Sequence, residues 1–139
     1  MRIMGKGVLL LLAALALAAC ASGGKKMSEL QRLQYAYSAA IRWGDFEGAW
    51  KLVDPEYREA NPMTELEFER YNHVQVSAYR ERGAQVLDDG TAVREIEIGV
   101  INRHNMTERS ARYTEQWRYD PETGQWWISN GLPDLWAGQ

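Results

Sequence analysis

Residues 86–102 read VLDDGTAVREIEIGVIN, and this stretch decides the fold. Asp88-Asp89-Gly90 has the chemistry of a hairpin turn, because glycine supplies the positive φ that a tight connection between strands demands. Beyond it Ile96, Ile98 and Val100 alternate with Glu95 and Glu97, a period of two with one face apolar and the other charged. Upstream, Val74 and Val76 open a partner strand that extends to about residue 87 with a break near Gly83. Downstream, residues 103–107 turn the chain and residues 108–119 form the next strand, with Tyr113, Trp117 and Tyr119 on one side. Asp120-Pro121-Glu122-Thr123-Gly124 is a second turn, with proline presetting φ and glycine taking the left-handed position. Residues 126–129 complete an antiparallel meander of about four strands.

The chain before this meander has helical punctuation. Ser28-Glu29-Leu30-Gln31 fits a capping box, and Leu30, Leu33, Tyr37, Ala40 and Ile41 recur at helical spacing. Gly44 closes that helix and Asp45 is placed to cap the next, in which Phe46, Ala49, Trp50 and Val53 share a face. Asp54-Pro55 ends or re-caps it. Thr64-Glu65-Leu66-Glu67 is a second capping box, flanked by Met63 and Phe68 at the positions of a hydrophobic staple, so a short helix is expected over residues 65–72. Helices first and strands after make the fold class α+β.

The 139 residues suffice for about one domain, and 16 Lys plus Arg against 19 Asp plus Glu leave a net charge of −3. That balance argues against a nucleic-acid partner, which requires a basic footprint. Six Trp and seven Tyr against two Phe give a core whose aromatics carry a polar edge.

The N-terminus is an address. Arg2 and Lys6 form a short cationic region, and residues 8–19 (VLLLLAALALAA) are uncharged but too few to cross a bilayer of roughly 30 Å as a helix. The run ends in Leu17-Ala18-Ala19-Cys20, and Cys20 is the one cysteine of the chain. This resembles the lipobox of bacterial lipoproteins. The resemblance implies a signal peptide over residues 1–19, cleavage before Cys20, a diacylglycerol carried on that thiol and a palmitate-like chain on the new amino group. An ordinary signal peptide with an incidental cysteine is the alternative. Cleavage leaves 14 basic and 19 acidic residues, a net charge of −5. Residues 20–27 become a flexible, Gly-rich tether and residues 28–139 a single α+β domain held near the membrane. Ala21 rather than Asp after the cysteine implies, by the same resemblance, the periplasmic face of the outer membrane of the bacterial cell envelope.

Helix, helix, short helix and four antiparallel strands resemble the nuclear transport factor 2 superfamily, which includes ketosteroid-isomerase-like enzymes. Trp43-Gly44-Asp45-Phe46, Ala49-Trp50-Lys51-Leu52 and Trp126-Trp127-Ile128 after Gly124 carry that resemblance over residues 28–130. It implies N-terminal helices wrapped by a curved, cone-like sheet. Other α+β layering, including a cystatin-like helix on a sheet, fits the same order of elements.

Function is less legible. The resemblance implies that an enzyme of this fold would pair a tyrosine of the first helix, Tyr35 or Tyr37, with an acid on the sheet, Glu115. Tyr37 as core and Glu115 as the partner of an arginine is the structural alternative. The run DPEYREAN, with Asp54, Glu56 and Glu59, has the look of a solvated turn. His73 and His104 stand too far apart in sequence for a metal-binding spacing, and neither a phosphate-binding loop nor a dinucleotide fingerprint occurs, so no metal or cofactor is expected. Tyr37, Trp50, Tyr71, Tyr113, Trp117 and Trp126 either line an amphipathic pocket or fill the core. Arg103, His104, Arg109 and Arg112 around the turn at 103–107 form a cationic hairpin suited to anionic headgroups or an acidic partner. These features favour a non-catalytic, membrane-tethered module that binds an envelope partner or a small apolar ligand. An isomerase- or dehydratase-like enzyme and a subunit of a secretion or envelope complex are the alternatives. Homodimerisation is common in the resembled superfamily.

Overall fold

In the computed structural model residues 2–136 are described, with side chains described at 7–15 and 23–136. The side chain of Cys20 therefore lies outside the described residues. The chain divides into two compact units, Met1–Arg32 and Leu33–Gln139.

Helix α1 runs unbroken from Arg2 to Arg42, so it supplies the first unit and opens the second. Ser28 lies inside it, donating its hydroxyl to the Gly24 carbonyl at 2.9 Å, and does not cap a helix start. Residues 21–27, expected as a Gly-rich tether, are helical as well. In an uninterrupted helix each peptide bonds the turn before it, and Gly23 and Gly24 cost about 1 kcal/mol each without ending the series. In the first unit Val8, Leu9, Leu10, Leu11, Leu12 and Leu15 are all exposed. Among the described residues, no helix is long and apolar enough to cross a membrane.

The second unit is α+β. After α1 come three short helices: α2 (Phe46–Trp50), α3 (Pro55–Ala60) and α4 (Glu65–Arg70), the last followed by a 3-10 turn at Tyr71–His73. Asp45 caps α2 through the Gly48 amide, and Asp54 caps α3 through the Glu56 amide with Pro55 in the first turn. The capping box at Thr64 and Glu67 forms as expected. Strands β1 (Val74–Val86), β2 (Ala92–Asn102), β3 (Glu108–Asp120) and β4 (Gln125–Ile128) make one antiparallel sheet in the order β1-β2-β3-β4. The break expected near Gly83 is a register shift between Glu81 and Gly83, and a second shift lies between Val76 and Ala78.

The register explains the core. Ile96 stands opposite Tyr113 and Ile98 opposite Ala111, so the apolar face of β2 continues across β3. Leu33, Tyr37 and Ile41 of α1 are buried together with Phe46, Ala49, Val53, Trp117, Trp126 and Ile128. Asp54, whose run was expected to be solvated, is buried and bonds Arg118 at 2.6 Å. A parallel bridge between Val53 and Ile128 brings it there, with the Asp54 amide donating to the Ile128 carbonyl at 2.8 Å.

Candidate functional site

Glu115 occupies the inward face of β3 between Tyr113 and Trp117, as the alternation of that strand requires. Its carboxylate is fully buried. Arg94, two strand positions before Ile96 on the same face of β2 and directly opposite Glu115, reaches it at 2.7 Å. Tyr79 of β1 donates its hydroxyl at 2.6 Å, and the Trp117 indole N–H donates as well. The Arg94 guanidinium also bonds the Ser38 hydroxyl at 3.1 Å and Glu81 at 3.2 Å. Both carboxylate oxygens thus accept from donors of the fold.

Tyr37 stands beside this cluster but bonds elsewhere. Its hydroxyl lies 2.9 Å from that of Tyr113, which donates to the Gly131 carbonyl at 2.8 Å, so Tyr37 is the donor of the pair. The Tyr37 ring meets Trp117 edge-on at 5.8 Å. Burial raises the pKa of Tyr37, Tyr79 and Tyr113 well above that of a free phenol, and the nearby Glu115 charge adds to each shift. All three stay neutral donors. The other tyrosine considered for this role, Tyr35, is 78% exposed and lines a surface concavity with Tyr79 and Arg94, the residues that bond Glu115.

Of the six aromatics singled out as pocket lining, five are buried: Tyr37, Tyr71, Tyr113, Trp117 and Trp126. Trp50, half-buried, and Tyr71 also line a groove of about 440 Å³. Its walls are the helical segment from Trp50 to Tyr71 and the C-terminal stretch Leu132, Pro133, Asp134 and Trp136. Tyr71 stacks on Phe46 at 4.0 Å and donates to the Pro133 carbonyl at 3.2 Å, which fastens the C-terminal stretch to the helices. Trp136 meets Tyr71 at 4.8 Å, with the Arg70 guanidinium 4.2 Å over its ring. Burial, and then the charge of Asp134, push the Tyr71 hydroxyl up to about 12. Tyr57, Met63 and Trp136 were not singled out by periodicity, because they come from a six-residue helix, a loop and a turn.

The cationic hairpin does not form one surface. Arg109 and Arg112 differ by an odd number of positions on β3 and so take opposite faces of the sheet. Arg112 stands opposite Glu97, while Arg103 turns back to donate to the Val74 carbonyl at 3.2 Å. His104 is exposed, its amide donating to the Asn102 side chain at 2.8 Å. Among the described residues, no three His, Cys, Asp or Glu side chains gather as metal ligands would. Aromatic-walled concavities among the described residues include the groove between the short helices and the C-terminal stretch and a smaller one lined by Tyr35, Trp43 and Tyr79 beside Arg94. Comparison with protein-family models, with curated proteins and with solved structures finds no match to this chain, and the site rests on its own geometry.

Proposed function

We propose that this chain is a lipoprotein of a bacterial cell envelope whose folded unit is a non-catalytic binding module, taking an apolar or aromatic-bearing partner in the groove walled by Trp50, Tyr57, Met63, Tyr71 and Trp136. The groove carries the reading: the rings of Trp50, Tyr57, Tyr71 and Trp136 stand among the polar and charged groups of Asn61, Glu67, Arg70 and Asp134 in one open concavity. The signal peptide, acylation of Cys20, a periplasmic position at the outer membrane and a cone-like wrapping of the sheet belong to the same proposal. The cationic n-region, the short apolar run and Leu17-Ala18-Ala19-Cys20 support the first three. The order of helices and strands supports the last. An anchor would hold the groove close to envelope partners and raise their effective concentration without any new contact.

The enzyme reading, a Tyr37 and Glu115 pair acting on a carbonyl compound, draws less from the geometry. Proton transfer needs an acid within reach of substrate, and the carboxylate here is sealed and saturated by Arg94, Tyr79 and Trp117.

Two measurements test the proposal. Cells fed radiolabelled palmitate should label the wild-type protein and not a Cys20→Ser variant, and label retained by the variant refutes the anchor. Indole titrated into the full chain in detergent micelles should shift the indole N–H signals of Trp50 and Trp136 saturably, leaving Trp117 and Trp126 still. Uniform or unsaturable shifts refute the groove.

A further inference from the structure

Strand β1 is an edge of the sheet, paired among the described residues along one side only, to β2. Its two halves are managed differently. In the first half the carbonyls of Val74 and Tyr79 accept from Arg103 and Arg42, at 3.2 and 3.3 Å, so guanidinium groups occupy acceptors of that segment. Past the register shift at Glu81/Gly83 the strand continues with GAQV to its end, and every residue from Arg80 to Gly90 is exposed. A Cβ at Gly83 would meet nothing within 4 Å, and Val86 and Leu87 are 58% and 42% exposed. Unpaired strand backbone with apolar, uncharged side chains is a template for another strand.

Charge says which strand. Residues 80–89 read RERGAQVLDD, with arginines at one end, five uncharged residues in the middle and two aspartates at the other. At the arginine end Arg80 and Arg82 flank Glu81, whose carboxylate turns to Arg94 at 3.2 Å, so the two arginines share the single carboxylate of Glu97, at 3.6 and 2.8 Å, and Arg112 stands opposite that same residue in register. An antiparallel copy of the segment places its Asp88-Asp89 tip beside these arginines, twice over by the two-fold axis. Parallel pairing sets like charge on like. We propose that the edge of β1 at residues 83–86 pairs antiparallel with the same edge of a second copy of this chain, making an isologous dimer joined through its sheets.

Sedimentation equilibrium of the full chain in density-matched detergent tests this. The wild type should dissociate on dilution from dimer to monomer. Asp88→Lys and Arg80→Glu should each weaken the dimer about tenfold or more, since each reversal acts at two symmetry-related contacts. An equimolar mixture of the two variants should recover wild-type association, because each then presents the charge that the other lacks. Circular dichroism melts confirm that both variants are folded, and Gln75→Lys, on the guanidinium-capped half of β1, is the control that should change nothing. A wild type that stays monomeric overturns the proposal. So does a dimer indifferent to both reversals, or a mixture no tighter than its components.

Discussion

Glu115 and Arg94 face each other across the β2–β3 ladder with oxygen and nitrogen 2.7 Å apart, and the carboxylate has no exposed surface at all. The pair ties three strands to α1, since Tyr79 of β1 donates to the same acid and Arg94 reaches Ser38 of α1. Removing one partner of such a pair strands the other as an uncompensated charge in a medium that solvates it poorly. Arg94→Ala should therefore destabilise the fold by about 3–5 kcal/mol. Adding Glu115→Gln to that variant should recover part of the loss, because a neutral amide needs no counter-charge while still accepting from Tyr79. Urea unfolding of the two variants and the wild type measures both numbers, and equal stability for the single and double variants refutes the account.

Alkali should unfold this protein through its tyrosines. Burial holds the hydroxyls of Tyr37, Tyr79 and Tyr113 well above the ordinary phenol value and that of Tyr71 up to about 12. Above pH ~10 the unfolded chain loses these protons and the folded chain keeps them, so the unfolded state binds fewer protons and stability falls as pH rises. Below pH ~10 both states hold the proton and these groups contribute no slope. The measurement is phenolate absorbance against far-ultraviolet circular dichroism over an alkaline titration. Late-titrating tyrosines should ionise together with the loss of secondary structure, and ionisation of all seven tyrosines in the folded state contradicts this.

Asp54 does two tasks from one position. It caps α3 through the Glu56 amide at 3.0 Å and bonds Arg118 of β3 at 2.6 Å. Arg118 is 42% exposed, so solvent screens the ion pair and the cap accounts for much of the effect. Asp54→Ala should cost about 1–2 kcal/mol, and Asp54→Asn, which keeps the cap, distinctly less. Thermal melts of both variants check the order.

Gly131 is required twice. Its φ is +79°, and a Cβ there would lie 2.7 Å from the hydroxyl of Tyr57, a residue that lines the groove. Gly131→Ala should destabilise by about 1–3 kcal/mol, from backbone strain and from displacement of Tyr57 together. In a Tyr57→Ala background the same change should cost only the strain, about 1 kcal/mol. Equal costs in both backgrounds, read by urea titration, mean that Tyr57 does not crowd this position.

Local chemistry determined most of the elements from sequence alone. The alternation through Ile96, Ile98 and Val100, the turn at Gly90, the capping box at Thr64 and the weak point near Gly83 each lie within a few residues of their cause, and each has its counterpart in the structure. The helix start expected at Ser28 is different. A capping side chain acts only if the preceding residues leave the helix, and residues 21–27 remain in it.

The site was decided by tertiary structure. Glu115 and Tyr37 share a face with apolar neighbours whether they react or merely pack, and their roles depend on where Arg94, Tyr79 and Tyr113 arrive from other strands. The groove joins Trp50 and Tyr71 to Pro133 and Trp136, more than sixty residues apart in the chain for the bonded pair Tyr71 and Pro133. Periodicity reports which side of its own element a residue occupies. It carries no record of the distant segment that closes over that side, because burial and pairing are properties of two surfaces and are set only when the chain brings them together.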